Sequence, residues 1–219
     1  MKRVLEPELM EDEAQVKAYA EADFEIPHSQ FMERLKAFVN EPDFSGTALD
    51  LGCGPGDISF RFARAYPLAR VQAVDGSAAM INYAKLLIAD ALKPRISFIQ
   101  GLLPFVSLPQ ANYGIIFSNS LLHHLPDPMV LWQVVKKYAA PGTRIVVMDL
   151  LRPASVDEAR AMVQAYAADE PDILKRDFYQ SLLAAFRMEE IAGQIAQADL
   201  DLKIEQISDR HVFITGIAS

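Results

Sequence analysis

The chain has 219 residues, 51% of them apolar, and a formal net charge of -8, which is one domain with a full core or one domain with a cap. The acidic balance argues against nucleic acid, whose phosphates need clustered lysine and arginine, and the lack of any run of 18 apolar residues argues against a membrane span. The N-terminus turns acidic before a signal-peptide core could form, and the single cysteine, Cys53, gives no disulfide framework. A cytoplasmic monomer or homodimer is expected.

In chain order, residues 5 to 22 are charged and alanine-rich and read as a helix. Pro27 biases Ile26 towards an extended conformation and should break it. A second helix is predicted from Ser29 to Val39, with Phe31, Leu35 and Phe38 at helical spacing. Residues 1–46 thus form a helical leader, whose Tyr19, Phe24 and Phe31 suit a cap over a pocket. From Thr47 the pattern alternates. Strands are predicted at Thr47–Leu51, Val71–Val74, Ile96–Gln100, Gly114–Ser118 and Arg144–Leu150. Helices are predicted at Asp57–Tyr66, Ala78–Ala91 and after Pro128. Continuous apolar strands joined by helices mean a parallel sheet covered on both faces. A helical insertion over about 155–200 follows, opened by Ser155 with Glu158 at capping spacing. Strands Leu202–Ile207 and His211–Ile217 then close the chain as a hairpin. The main domain is therefore 47–219.

The stretch Asp50-Leu51-Gly52-Cys53-Gly54-Pro55-Gly56-Asp57 is a strand tip, a tight turn and a helix start, where backbone approaches a ligand. A second strand ends in Asp75, a carboxylate placed for ribose hydroxyls. A dinucleotide loop wants a third glycine at position 57, where this chain has Asp57, and no Gly-Lys-Ser/Thr follows as in a P-loop. Asp50 and Asp57 make an acidic mouth, suited to an ammonium or sulfonium.

Leu49 to Gly56, Ala73 to Ser77 with Met80, and Phe117 to Asp127 together resemble the class I S-adenosylmethionine-dependent methyltransferases, over about residues 44 to 150. The resemblance implies an α/β, Rossmann-like three-layer sandwich with a seven-stranded, mostly parallel sheet and an antiparallel last strand. It implies that Gly52, Gly54 and Gly56 admit the methionine portion of S-adenosylmethionine, with Asp50 near its amino group. Asp75 would take the ribose hydroxyls, Gly76 and Met80 the adenine face, and Asn119 the methionine end. Gly101 and Leu102 stand where the family often has Gly-Asp, so backbone and packing would hold the adenine here. The family's usual aromatic-Asp opening of the fourth strand is Tyr113-Gly114 in this chain.

The resulting expectation is methyl transfer to a small-molecule acceptor. The alternative is a regulatory or partner subunit that binds S-adenosylmethionine or S-adenosylhomocysteine without transfer. Base candidates are His28, His123, His124 and Tyr19. Candidates for holding the acceptor are Tyr19, His28, His124, Arg152 and Tyr179, with Phe178 and Phe186 near the same region. His123 and His124, being adjacent, should point apart, and no carboxylate stands at ligand spacing from them, so no metal is expected.

Overall fold

Period-two alternation along the strands decides which helices cover which face of the sheet. The computed structural model describes residues 1–6 and 9–219. The strands are β1 Thr47–Leu51, β2 Arg70–Asp75, β3 Ile96–Gln100, β4 Tyr113–Asn119, β5 Ala139–Leu150, β6 Lys203–Gln206 and β7 His211–Ile217. They form one sheet in the order β3-β2-β1-β4-β5-β7-β6. All neighbours from β3 to β5 pair in parallel, and β7 runs antiparallel to both β5 and β6. This is the Rossmann-like architecture expected from the sequence.

Ala48, Ile115, Phe117, Val146 and Met148 point to one face, against α2 Glu25–Val39, α3 Asp57–Ala65 and α4 Ala78–Leu87. Leu49, Leu51, Ile116, Ile145 and Val147 point to the other, against α5 Met129–Tyr138 and α8 Met188–Gln197. Phe117 is fully buried between Phe62, stacked at 5.0 Å, and Phe31 at 6.2 Å. Gly114 is required here for space, because a Cβ on it would lie 2.8 Å from the Phe44 ring. The departure from the usual family residue at this position is thus a packing solution.

The N-terminal segment differs from its expectation. Helix α1 spans only Glu13–Glu21, capped by Asp12, whose side chain accepts from Gln15 N at 2.9 Å. Residues 7 and 8, inside the stretch expected to be helical, lie outside the described residues. Residues 1–6 form a strap against the helical insertion, α6 Val156–Tyr166 and α7 Asp172–Ala184. Val4 N donates to Leu183 O at 3.0 Å, and Arg3 Nη2 donates to His123 O and Leu125 O at 2.8 and 2.9 Å. Residues 1–6 therefore run outside any helix, tied to later parts of the chain by tertiary bonds. Pro27 does not break a helix either. It sits in the first turn of α2, where backbone N–H groups lack intrahelical partners and a proline is tolerated. Helix α2 belongs to the layer on the sheet, through Phe31, Met32, Leu35 and Val39, while α1 packs on α4 and α7.

Three smaller boundaries move. Helix α4 ends at Leu87, α7 begins at Asp172, and β5 starts at Ala139, with a register shift opposite Tyr113/Ile115. Ser155 caps α6 by accepting from Glu158 N at 3.1 Å, but Glu158 reaches back to Ala154 N and not to the cap residue. Among the described residues, no helix is long and apolar enough to cross a membrane.

Replacing Phe117 with alanine removes the ring at the centre of this aromatic stack. A loss of about 3–5 kcal/mol is expected, read as a lower urea midpoint with unchanged slope.

Candidate functional site

The strand order reverses between β1 and β4, and in open α/β sheets the crevice at such a reversal, outside the strands' carboxyl ends, is where ligands bind. Two cavities open there. The first, of ≈ 310 Å³, is lined by Asp50, Gly52, Gly54, Asp75, Gly76, Met80, Gly101 and Leu102. The second, of ≈ 360 Å³, lies under α1 and α2 and against α7. They meet at a common wall that includes Tyr19, Phe24, His28, Asn119, Ser120 and His124.

The floor of the first cavity is the glycine loop. Gly52, Gly54 and Gly56 have φ of +74°, +50° and +92°, the left-handed region that a side chain disfavours. Gly54 faces open space, whereas a Cβ on Gly52 would strike Leu121 at 2.8 Å. Asp75 ties the loop to the next strand: Oδ2 accepts from Gly54 N and Oδ1 from Ser77 N, each at 2.8 Å. Burial raises its pKa, and those two amides oppose the rise. The Leu9 and Leu102 side chains come within 2.7 and 2.9 Å of where a Gly76 Cβ would be, so a side chain there would collide with the apolar wall they form. Ser77 Oγ, which caps α4 by accepting from Met80 N, also donates to Met10 O at 2.6 Å and draws the leader over this end.

Asp50 is 1% exposed, and its Oδ2 accepts from Ser59 Oγ at 2.6 Å. Burial pushes its pKa up to about 7, against the Ser59 bond and helped by the Asp75 charge. Asp57 is a different case. It lies 2.7 Å from both His28 Nδ1 and Arg61 Nε, which outweigh its burial and lower its pKa. Arg61 also engages Glu25 at 2.6 Å, so its one positive charge is shared between two carboxylates.

The common wall gathers most of the proposed base candidates. Burial pushes the Tyr19 phenol up to about 12, so at neutral pH it is a donor and not a base. His28 is held through Nδ1 by Asp57, with Phe24 against its ring at 5.2 Å. Asn119 contributes a buried Oδ1 without a hydrogen-bond partner among the described residues. The expectation that His123 and His124 point apart is corrected. Their rings lie 4.2 Å apart on the 3-10 turn Leu122–His124, and both face Glu6. His123 Nδ1 lies 2.6 Å from Asp149 Oδ1; burial lowers its pKa, but the Asp149 charge more than reverses that.

Among the described residues, Arg152, Tyr179 and Gly56 line neither cavity. Gly56 instead caps α3, where a Cβ would strike Phe60. Arg152 is buried under the insertion, 2.6 Å from Glu190 and donating to Ala185 O at 3.1 Å. Tyr179 packs against the cluster of Leu150, Ala159, Leu182 and Ala185. The face of α7 that does reach the second cavity is Leu174, Asp177, Phe178 and Ser181, a spacing of three, four and seven readable as one helical stripe. Glu6, Met10, Asp149 and Asp177 are missed by sequence reasoning, because each arrives from a segment far from the glycine loop.

A family described as methyltransferase domain matches residues 48–142. Over 116 residues the chain is 34% identical to trans-aconitate 2-methyltransferase of Azoarcus sp. (strain BH72), covering 53% of this chain and 42% of that protein. It is 32% identical over 105 residues to malonyl-[acyl-carrier protein] O-methyltransferase of Hahella chejuensis, covering 47% of this chain and 36% of that one. The match thus spans less than half the length of these curated relatives. Among solved structures, a SAM-dependent methyltransferase from Aquifex aeolicus superposes with a TM-score of 0.70 at 15% identity, over 94% of this chain and 98% of that one. The plantazolicin methyltransferase BpumL, in complex with a pentazolic desmethylPZN analog and SAH, gives 0.67 at 15% identity over 94% and 97%. These likenesses share the fold.

The Asp50 shift has a consequence for the ligand-free protein. A carboxyl whose pKa rises from 3.8 unfolded to about 7 folded makes stability fall as pH rises between those values. Asp50→Asn should remove that slope, and above pH 7 it should make the ligand-free protein more stable by up to about 4 kcal/mol. Urea melts at pH 5 and pH 8 measure both.

Proposed function

We propose, for a chain that belongs to the class I S-adenosylmethionine-dependent methyltransferase family, that it methylates a small molecule held in the second cavity by a donor held in the first. The observation that carries this reading is the common wall between the two cavities, at Asn119, His28 and His124.

The residues of the first cavity fit the family's cofactor. The glycine loop offers backbone without side chains, and Asp75 has lone pairs remaining for ribose hydroxyls. Gly76, Met80, Gly101 and Leu102 make an apolar slot of the kind an adenine face needs. Asp50 is a buried acid that an ammonium group would ionise, and Asn119 Oδ1 lacks a partner in a buried wall. When bound, S-adenosylmethionine supplies a methyl group already activated on a sulfonium.

The chain then has three tasks. The leader and α7 exclude water from the acceptor, through Tyr19, Phe24 and Phe178. The wall at Asn119 holds acceptor and donor in line, so that orientation supplies much of the rate. His28 takes the acceptor's proton. With Nδ1 directed to Asp57, its Nε2 is left as the accepting atom, the same division of labour as in a triad histidine. A cavity of ≈ 360 Å³ is the size of a metabolite site.

Calorimetry with S-adenosylhomocysteine should give saturable binding that Asp75→Ala weakens roughly 10- to 100-fold. Absence of binding overturns the reading. Incubation with fractionated metabolite pools should release S-adenosylhomocysteine, and binding without release on any pool would support a non-transferring subunit instead. On the acceptor so found, His28→Ala should lower kcat by about 10²–10⁴ while leaving S-adenosylhomocysteine affinity unchanged.

A further inference from the structure

The side chains of Glu6, His123 and His124 converge at one edge of the second cavity. Glu6 Oε1 lies 3.6 Å from His123 Nε2 and 3.3 Å from His124 Nδ1, and these ligand atoms all lie within 4.8 Å of one another. We propose that they form a binding site for one divalent transition-metal ion of the zinc class, with its open position on the acceptor cavity. The second half of that statement, the link to the acceptor, rests on the methyltransferase reading above; the site itself does not.

Three observations favour an ion over a chain of hydrogen bonds. The first is spacing. A charge-assisted N–H···O bond closes to about 2.7–2.9 Å, and the distances from Glu6 exceed that. Four donors at the ~2.0–2.1 Å of zinc bonds in a tetrahedron stand about 3.3–3.4 Å apart, and the distances from Glu6 fall near that edge.

The second is the state of Glu6. Its side chain is 6% exposed, with Oε2 accepting from Ser181 Oγ at 3.2 Å and Oε1 without a hydrogen-bond partner among the described residues. A buried carboxylate oxygen left in that state is costly. Burial raises the Glu6 pKa accordingly.

The third is the support behind His123. Its Nδ1 is 2.6 Å from Asp149 Oδ1, while Asp149 Oδ2 accepts from Leu122 N at 2.7 Å. Ligating histidines carry such a carboxylate on the nitrogen away from the metal, where it fixes the tautomer and the ring. The ring is fixed so that Nε2 faces Glu6. Here the carboxylate comes from β5 and the ligand from the turn after β4, so the sheet itself sets the geometry.

Two imidazoles and one carboxylate are the donor set of an open, catalytic-type zinc position, not of a closed structural one. His123 and His124 both line the second cavity, so the remaining position faces that space. An acceptor with a lone-pair donor beside its nucleophile, such as a hydroxy, thiol or amino compound able to chelate, is the class the site would hold. The sequence hides the site because the carboxylate stands 117 residues before the histidine pair.

The test uses untagged full-length protein, stripped with chelator and titrated with Zn²⁺ and Co²⁺. One equivalent of each should bind, with Co²⁺ giving the visible absorption of a four- or five-coordinate nitrogen–oxygen site. Glu6→Gln and His124→Ala should each weaken binding by more than about tenfold. Glu6→Gln, which lies outside both cavity linings, must retain the parent's S-adenosylhomocysteine affinity and melting temperature, which separates loss of the site from loss of the fold. Because that nucleoside is measured independently, its failure to bind would count against the methyltransferase reading and not against the ion site. No saturable metal binding, or affinity unchanged in the Glu6→Gln, His124→Ala double variant, overturns the proposal.

Discussion

The two bonds that Asp75 accepts, from Gly54 N and Ser77 N, hold together what everything else in the site leans on. One carboxylate at the tip of β2 fixes the glycine loop after β1 and the first turn of α4. Without it, three glycines with positive φ would leave the loop free to take many shapes, and a loop of many shapes binds weakly because ordering it costs entropy. Asp75 itself is kept buried, at the expense of a raised pKa. A further hydrogen-bond donor, such as a ribose hydroxyl, would lower that cost. The same acid is thus a structural clamp with lone pairs to spare.

The two halves of the site differ in how they are built. The first cavity is made by consecutive strand tips and the turns after them, all on the sheet. The second is made by elements appended to the sheet: the leader, α7 and the turn after β4. The Leu174, Asp177, Phe178 and Ser181 stripe of α7 belongs to the second cavity alone, so altering it changes that cavity's wall and leaves Asp75 and the glycine loop in place.

The division also explains what could be read from the amino acids. The strands, the sheet and the glycine loop follow from local pattern, since apolar runs and a turn sequence carry their own geometry. Gly52, Gly54 and Asp75 stand out on that pattern, and the resemblance to the class I methyltransferases adds Met80 and Asn119; all five line the first cavity. Arg152 could not be placed, because its position after β5 suggests the ligand edge, while its Glu190 partner lies on α8. Asp57 looked like bare acid because its contacts to His28 and Arg61 form only in three dimensions. The leader looked helical from residue 5 because composition favours helix. The structure begins α1 only at Glu13, after a segment whose Arg3 and Val4 are tied to the carbonyls of residues 123, 125 and 183. Each miss is a long-range contact overriding a local tendency.

The strap has a consequence for the order of assembly. Residues 3 and 4 bond to backbone at positions 123, 125 and 183, so this segment has partners that come far later in the chain. Closing so long a loop carries an entropic cost that only the nearly complete fold can offset. The sheet and its helices can form while residues 1–6 remain undocked, and the strap docks last. An amide-exchange pattern would show that history as a native protein in which the strap opens well below the cost of global unfolding.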